Sequence, residues 1–344
     1  MRCRQSADFV EPASLEVDTG LVSRAGVITN SYTFDHCGPL ARTVEDCALV
    51  LQALAGYDPK DAGSLSRSIP SYRAALGEDL KGLRIGVLRY HWEEDIPASA
   101  DVRRAMEAAL DVLRRLGAEL EECRVRPLAS YFDVKIVIAE SEIFSVHQKN
   151  LVARPKDFGA DFRSRVLPSV LFTAHDYVQA AREHRRMMAE MEPLYARFDA
   201  FVTAGLGEAP RLADYRSVSF WEKPSLLTAW NVTGQPVLAL PNGFGKSGLP
   251  LGMQILGRPF GEEAILRVGH AYEQATEWHA RRPVLVPGAE AASRRRELPM
   301  RAENTPARRI PAGSHGAVHG PVTLSRTDPE TSAPRVWRRR KLQR

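Results

Sequence analysis

The side chains that could act as nucleophiles lie in two short polar runs. Cys37 directly follows His36 in the run DHCGP, and Ser23 is followed by Arg24. A serine or cysteine becomes a nucleophile when a base lies within hydrogen-bonding reach, and neighbours in sequence rarely face each other in that geometry. We therefore expect no nucleophile at Ser23 or Cys37, and we assign no catalytic residue.

Histidines and glycines could instead mark a metal or phosphate site. His175, followed by Asp176, lies nine residues before His184, whereas metal-ligand pairs on a helix are three or four residues apart. The run GFGKSG at 243–248 ends like a phosphate-binding loop, but Leu240 stands where its first glycine is required. We expect solvent-side histidines, a hairpin loop with a surface lysine, no metal and no cofactor.

The composition is that of a soluble globular protein. Hydrophobic residues make up 44% of the 344 residues and charged residues 26%, and no run approaches the roughly 20 apolar residues of a membrane span. The four cysteines lack C-x-x-C spacing, which favours reduced thiols in the cytoplasm. The first residues also lack the apolar core of a signal peptide. We expect a cytoplasmic protein without a membrane partner.

Positive charge is concentrated towards the carboxyl end. Residues 288–344 hold 13 of the 47 Lys and Arg but only 5 of the 42 Asp and Glu, so the formal net charge of +5 comes from this stretch. Pro, Arg, Ser, Thr and Gly dominate it, and such a segment cannot bury enough apolar surface to offset the entropy of ordering. We interpret it as a disordered, solvated basic tail and expect no nucleic-acid partner.

The rest of the chain alternates strand and helix patterns. An apolar run at 83–88, a helical period at 102–116 and a weak alternation at 118–125 predict two parallel strands joined by a helix. Apolar runs at 236–240 and 252–256, bracketed by Gly and Pro, predict two buried strands. Further helices are predicted at 44–54 with Thr43 as N-cap, at 134–151, at 177–198 with Met187, Met188 and Met191 buried, and at 262–276.

Two ordered runs resemble the amidase signature family. The run beginning at Gly20 carries one set of family positions: Ser23, Arg24, Gly26, Asp35, Gly38, Pro39, Ala41, Arg42, Val44, Asp46 and Ala48. A second set follows Trp230: Asn231, Gly234, Pro236, Pro241, Gly243, Pro250, Gly252, Gln254, Gly257 and Pro259. The resemblance implies an α/β fold, with a mixed β-sheet flanked by helices on both faces, and the hydrolysis of carboxamides without a metal or organic cofactor.

The resemblance also implies a catalytic apparatus that this sequence does not contain. The family uses a serine nucleophile from a G-G-S-S loop, a second serine in a cis peptide bond and an upstream lysine; here no G-G-S run occurs and the first lysine is Lys60. We predict a partial amidase domain at 20–287, incomplete on its N-terminal side, after an unmatched leader at 1–19 in which no element is predicted. We expect it to be inactive alone, and its open sheet edge to favour a homodimer.

One substrate-binding residue is implied by the resemblance. Arg165 begins the run RVLPS, which resembles a segment of the A subunits of tRNA-dependent amidotransferases in which an arginine holds a substrate carboxylate. Those subunits place an acidic residue a few positions before the second run, whereas this chain has Lys223, Pro224 and Ser225 there, with Glu222 as the nearest acid. This departure favours a general amidase acting on a small amide. An amidotransferase A subunit that needs partner chains and tRNA, and a non-enzymatic binding or scaffold protein, remain the alternatives.

Overall fold

A single mixed β-sheet forms the centre of the computed structural model, which describes residues 13–209 and 222–281. Its seven strands are β1 (Ala13–Glu16), β2 (Leu40–Ala41), β3 (Arg84–Val87), β4 (Glu119–Glu122), β5 (Ala200–Ala204), β6 (Val237–Phe244) and β7 (Pro250–Gly257). Their order across the sheet is β2–β1–β6–β7–β5–β3–β4. Neighbours are antiparallel, except that β3 is parallel to both β4 and β5.

Seven α-helices surround this sheet in the part of the chain that the structure describes. They are α1 (Val44–Leu54), α2 (Ala100–Arg115), α3 (Leu128–Ala153), α4 (Ala160–Val166), α5 (Ala174–Arg197), α6 (Thr228–Thr233) and α7 (Glu262–Gln274). Shorter helical turns span Ala74–Gly77, His91–Asp95, Pro155–Asp157, Leu167–Leu171 and Trp278–Ala280. None of the helices in these two ranges is long and apolar enough to cross a membrane.

Helices cover both faces of the sheet. On one face Gly269 of α7 lies so close to Leu238 of β6 that an added Cβ would sit 2.3 Å from a leucine methyl. On the other face Phe201 of β5 makes an edge contact with Tyr195 of α5, at 6.3 Å between ring centroids. The predicted α/β class, a mixed sheet with helices on both faces, is therefore confirmed.

The hairpin of β6 and β7 is the most deeply buried part of the sheet. Both strands are buried at nearly every position because strands lie on either side and helices lie on the faces. The turn between them carries Lys246 into solvent. The two predicted buried strands and the surface lysine are thus confirmed, and each strand extends beyond its predicted apolar run.

Local signals also placed several other elements correctly. The strand–helix–strand unit is present, with Ile85 of β3 paired in parallel with Leu120 of β4. Helix α1 begins at Val44 as predicted, and the Thr43 hydroxyl accepts the backbone N–H of Asp46 at 3.1 Å. An N-cap of this kind satisfies one of the amide groups that have no partner within the helix.

Three expectations differ from the structure. Strand β1 lies within residues 1–19, where no element was predicted, because its four residues are all buried and show no alternation. Helix α3 begins at Leu128 rather than near residue 134. Met188 is 43% exposed, since residues four apart such as Met187 and Met191 share a helix face and the intervening methionine turns away from it. The predicted tail at 288–344 lies outside the described residues.

Two buried carboxyl groups, Asp18 and Glu273, connect the first part of the described chain with α7 or with the residues just before it. Glu273 accepts the N–H of Val44, the first residue of α1, at 3.1 Å. Burial raises the pKa of Glu273 to about 7, against this hydrogen bond, which lowers it. Burial likewise raises the pKa of Asp18 to about 7, opposed by the N–H of Phe260 and assisted by the neighbouring Glu262 carboxylate. Both groups therefore titrate near neutral pH.

We predict that the protein loses stability as the pH rises from about 5 to 8. The folded-state pKa of Asp18 and Glu273 lies above the unfolded value, so the folded state binds more protons in this window and the free energy of unfolding falls with rising pH. The effect is on the order of 3 kcal/mol per carboxyl group at most. Thermal unfolding followed by circular dichroism at several pH values measures it.

The variants Asp18→Asn and Glu273→Gln should each flatten this pH dependence. Asp111→Asn is the matched control, because Asp111 is exposed and pairs with Arg114 on the surface. A protein that becomes more stable between pH 5 and pH 8 would contradict the assignment.

Candidate functional site

A polar loop, residues 30–36, is the part of the molecule where several elements bring functional side chains together. The loop closes on its own carboxylate: Asp35 accepts the backbone N–H groups of Asn30 (2.8 Å) and Ser31 (3.0 Å). The N–H of Asp35 in turn donates to the Ser31 carbonyl at 3.1 Å. Such a turn fixes the backbone without regular secondary structure, so the loop presents its side chains in a defined geometry.

Glu142 of α3 anchors this loop. Its carboxylate accepts the hydroxyl of Ser31, the N–H of Thr33 (3.1 Å), the Thr33 hydroxyl (2.6 Å) and the Tyr177 hydroxyl of α5 (2.9 Å). Glu142 is 7% exposed, and a buried carboxylate requires donors of this number to offset its lost hydration. The polar loop, α3 and α5 are therefore held together by one side chain.

Arg165, predicted as a substrate-binding residue, lies at the edge of the polar loop. Its Nε donates to Glu140 of α3 at 3.1 Å and its Nη2 donates to the Asn30 side-chain oxygen at 2.9 Å. The side chain is 13% exposed, against 3% for Glu140. Arg165 is thus oriented by two partners and sits at the boundary between the interior and solvent.

Lys135 adds a second cation to this group. Burial lowers the pKa of Lys135 to about 8, with the Glu140 carboxylate opposing the shift and the Arg165 guanidinium adding to it. Burial raises the pKa of Glu140, and Arg165 and Lys135 oppose that rise. When all three groups are ionised, this buried cluster holds two positive charges and one negative charge.

The far end of the polar loop is held by α6 and α5. Asn231 of α6 donates from its amide nitrogen to the Phe34 carbonyl at 2.9 Å and to a Glu16 carboxylate oxygen at 3.1 Å. The His184 ring lies edge-on to the Phe34 ring, at 5.3 Å between centroids. His184 Nε2 lies 2.6 Å from the Val232 carbonyl, so the expected solvent-side position of His184 is wrong.

Exposed apolar side chains occur in the two chain segments that carry Asn30 and Arg165. Ile28 is 80% exposed just before Asn30, and Leu171 is 78% exposed in the turn that follows Arg165. The two segments are joined by the hydrogen bond between Arg165 and Asn30. Segments that carry both a charged group and exposed apolar side chains suit ligands that have polar and apolar parts.

The residues considered as nucleophiles at the outset lie in different surroundings. The Ser23 hydroxyl donates to the Asp58 carboxylate at 2.6 Å. Burial raises the pKa of the Cys37 thiol, which favours the unreactive protonated form. Within residues 13–209 and 222–281, no group of three His, Cys, Asp or Glu side chains could hold a metal ion.

Glu142 was not identified from the sequence. The helix that carries it was predicted, but the loop hydroxyls of Ser31 and Thr33 that pair with Glu142 lie about a hundred residues earlier in the chain. An acidic residue in a helix that otherwise buries Ile138, Ala139 and Ile143 is the signal that could have identified it, because buried carboxylates are rare unless they are paired.

We predict that Glu142→Ala lowers the free energy of unfolding by about 3 kcal/mol, since it leaves several buried donors without an acceptor. Glu142→Gln should cost less, because one oxygen remains to accept. Asp133→Asn on the exposed side of α3 is the control and should change stability by less than about 0.5 kcal/mol. Urea unfolding measures all three, and equal stability of Glu142→Ala and the parent protein would refute the anchoring role.

Comparison with known proteins identifies the family of this chain. The family described as Amidase matches residues 18–266. An amidase of Pseudomonas putida is 39% identical over 277 residues, which cover 78% of this chain and 59% of that protein. The glutamyl-tRNA(Gln) amidotransferase A subunit of Synechococcus elongatus is 33% identical over 312 residues, covering 82% of this chain and 64% of the relative.

The fold is similar to that of solved structures as well. One comes from an inhibitor-bound vestigial protein complex that reveals the evolutionary origins of an s-triazine catabolic enzyme; the TM-score is 0.71 at 28% sequence identity, covering 79% of this chain and 60% of that one. The chain therefore spans about 60% of the length of the relatives it matches and belongs to the amidase family, also known as the amidase signature family.

Proposed function

We propose that this chain forms the substrate-recognition part of an enzyme that hydrolyses carboxamides. The observation that carries this proposal is the polar loop: it lies within the family match and is braced on several sides, by α3, α5, α6 and Arg165. A preorganised polar surface loses little entropy when it binds a substrate, which is what a recognition site requires.

Arg165 binds the negatively charged or carbonyl end of the amide substrate in this proposal. A guanidinium group suits carboxylates because its parallel N–H donors match the two oxygens. Glu140 and Asn30 hold it in place, and the second cation of the buried cluster, Lys135, adds positive potential nearby. The apolar side chains of Ile28 and Leu171 then contact the uncharged part of the substrate.

The serine-rich loop that supplies the family's activated hydroxyl has no counterpart in the 344-residue sequence. Amide hydrolysis needs a nucleophile with a base and donors for the developing oxyanion. Because the sequence contains no G-G-S-S loop, we propose that the chain as given depends on a further segment or polypeptide for catalysis, and that residues 20–287 act as a partial amidase domain.

The exposed surface and the free cysteines support proposals for the partners of the protein and for its cellular compartment. We propose a homodimer, supported by exposed apolar side chains such as Val152 at 78%, and a cytoplasmic location, supported by the free thiols of Cys37, Cys47 and Cys123. An amidotransferase A subunit is the second candidate function, because relatives named so are 31–34% identical to this chain.

We predict no ammonia release above background when the purified chain is mixed with simple aliphatic and aromatic amides. Turnover that survives purification and disappears with Ser23→Ala or Cys37→Ala would contradict this expectation. If glutamine is the one amide from which ammonia is released, and release requires the other amidotransferase chains, the second candidate is selected. Release that appears when a fragment with the serine-rich loop is added would support the amidase function.

We predict that binding of succinamate, an amide with a carboxylate, depends on Arg165. Arg165→Gln should weaken binding by about 10- to 100-fold, the range of a charge-assisted hydrogen bond. Arg165→Lys should recover part of the affinity, because it keeps the charge but not the fork of donors. Isothermal titration calorimetry measures the affinity, with neutral succinamide as the comparison ligand.

Arg114→Gln is the matched control for this titration, since Arg114 is an exposed arginine paired with Asp111. Equal affinity of the Arg165→Gln and Arg114→Gln variants for succinamate, with both folded by circular dichroism, would rule out Arg165 as the carboxylate ligand.

A further inference from the structure

A hydroxyl, an imidazole and a carboxylate lie next to one another beside β1. The Thr19 hydroxyl lies 2.8 Å from His36 Nε2. On the other side of the ring, His36 Nδ1 lies 3.4 Å from a carboxylate oxygen of Glu16 and 3.0 Å from the Phe34 carbonyl. A nucleophile within reach of a base that a third group orients is the general arrangement for activating a hydroxyl.

The surroundings of His36 select the tautomer that this arrangement needs. Nδ1 faces the Phe34 carbonyl, a Glu16 carboxylate oxygen and, at 3.2 Å, the Asn231 amide nitrogen. The two hydrogens of that amide are donated to Phe34 and Glu16, so the groups left to pair with Nδ1 are acceptors, and their positions are fixed. Nδ1 therefore carries the proton and Nε2 has its lone pair towards Thr19. Nε2 is then able to accept the Thr19 proton.

The three side chains differ in how deeply they are buried. The side chains of His36 and Glu16 are 1% and 3% exposed, whereas Thr19 is only partly buried. The residue beside the Thr19 hydroxyl is Gly234, in the left-handed conformation with φ of 73°, where an added Cβ would lie 3.8 Å from the oxygen. The base and its orienting group are shielded, and the partly buried Thr19 lies next to a residue without a side chain.

We propose that Thr19 is a nucleophile for activated acyl groups, with His36 as its base and Glu16 as the positioning residue. The Thr19 oxygen attacks the carbonyl carbon of an aryl ester while its proton passes to His36 Nε2. The new carbon–oxygen bond forms, the bond to the aryl oxygen breaks, and the departing phenolate takes the proton from Nε2 or leaves as the anion. The products are acyl-Thr19 and the phenol, so no further reactant is required.

This inference is independent of the proposed amide substrate site. It uses neither Arg165 nor a serine-rich loop, and activated esters have a far better leaving group than amides. Esterolysis by Thr19 is therefore compatible with the absence of amide turnover, and a failure of either proposal leaves the other standing.

The test is the pre-steady-state reaction of the full chain with p-nitrophenyl acetate. We expect a burst of about one equivalent of p-nitrophenolate per chain, as acyl-enzyme formation requires, and an acetyl group that fragmentation mass spectrometry locates on Thr19. Thr19→Val and His36→Gln should reduce the burst at least tenfold, while Thr19→Ser should retain it because the hydroxyl is kept.

Ser23→Ala is the matched control and should leave the burst unchanged. The Ser23 hydroxyl, four residues along the chain from Thr19, donates to the Asp58 carboxylate. It therefore has a carboxylate rather than an imidazole as its partner. A missing burst in the parent protein, acetylation of a lysine, of Cys37 or of His36 instead of Thr19, or a full burst from a folded Thr19→Val variant would each overturn the proposal.

Discussion

Carboxylates withdrawn from water hold the polar loop of the candidate site in its conformation. A carboxylate withdrawn from water needs several donors, since its lost hydration is costly. Glu142 obtains them from Ser31, Thr33 and Tyr177, and the partly buried Asp35 obtains them from backbone amides of the polar loop itself. The loop has no sheet or helix pairing of its own, so these carboxylates take the place of regular secondary structure in fixing its course.

The end of the polar loop is set by its contact with the sheet. After Cys37 the chain runs alongside β1. It comes so close that a Cβ on Gly38 would lie 1.9 Å from the Leu15 carbonyl oxygen. Only glycine permits this approach, and the next residue, Pro39, offers its carbonyl to the Leu15 N–H at 3.0 Å. The glycine and proline of the family-like run thus connect the loop to the same strand that carries Glu16.

Hydrophobic periodicity and helix capping made most of the fold predictable from the sequence. Contacts between residues far apart along the chain could not be predicted in this way. The hairpin of β6 and β7 and helix α1 have strong local signals in apolar runs, bracketing glycines and an N-cap threonine. Strand β1 has none, because four consecutive buried residues show no alternation. Asn231 was identifiable only through family resemblance, and its bond to Glu16 joins residues 215 positions apart, which no local pattern encodes.

Helix geometry explains how Glu140 and Glu142, two residues apart on α3, have different partners. Residues two positions apart on an α-helix point about 200° apart, so Glu140 and Glu142 leave α3 in different directions. Glu140 meets Arg165, and Glu142 meets the loop hydroxyls. Asn30 reaches Arg165 while the next residue, Ser31, reaches Glu142. The position of the Arg165 guanidinium is therefore coupled, through Asn30, to the same backbone turn that Glu142 holds in place.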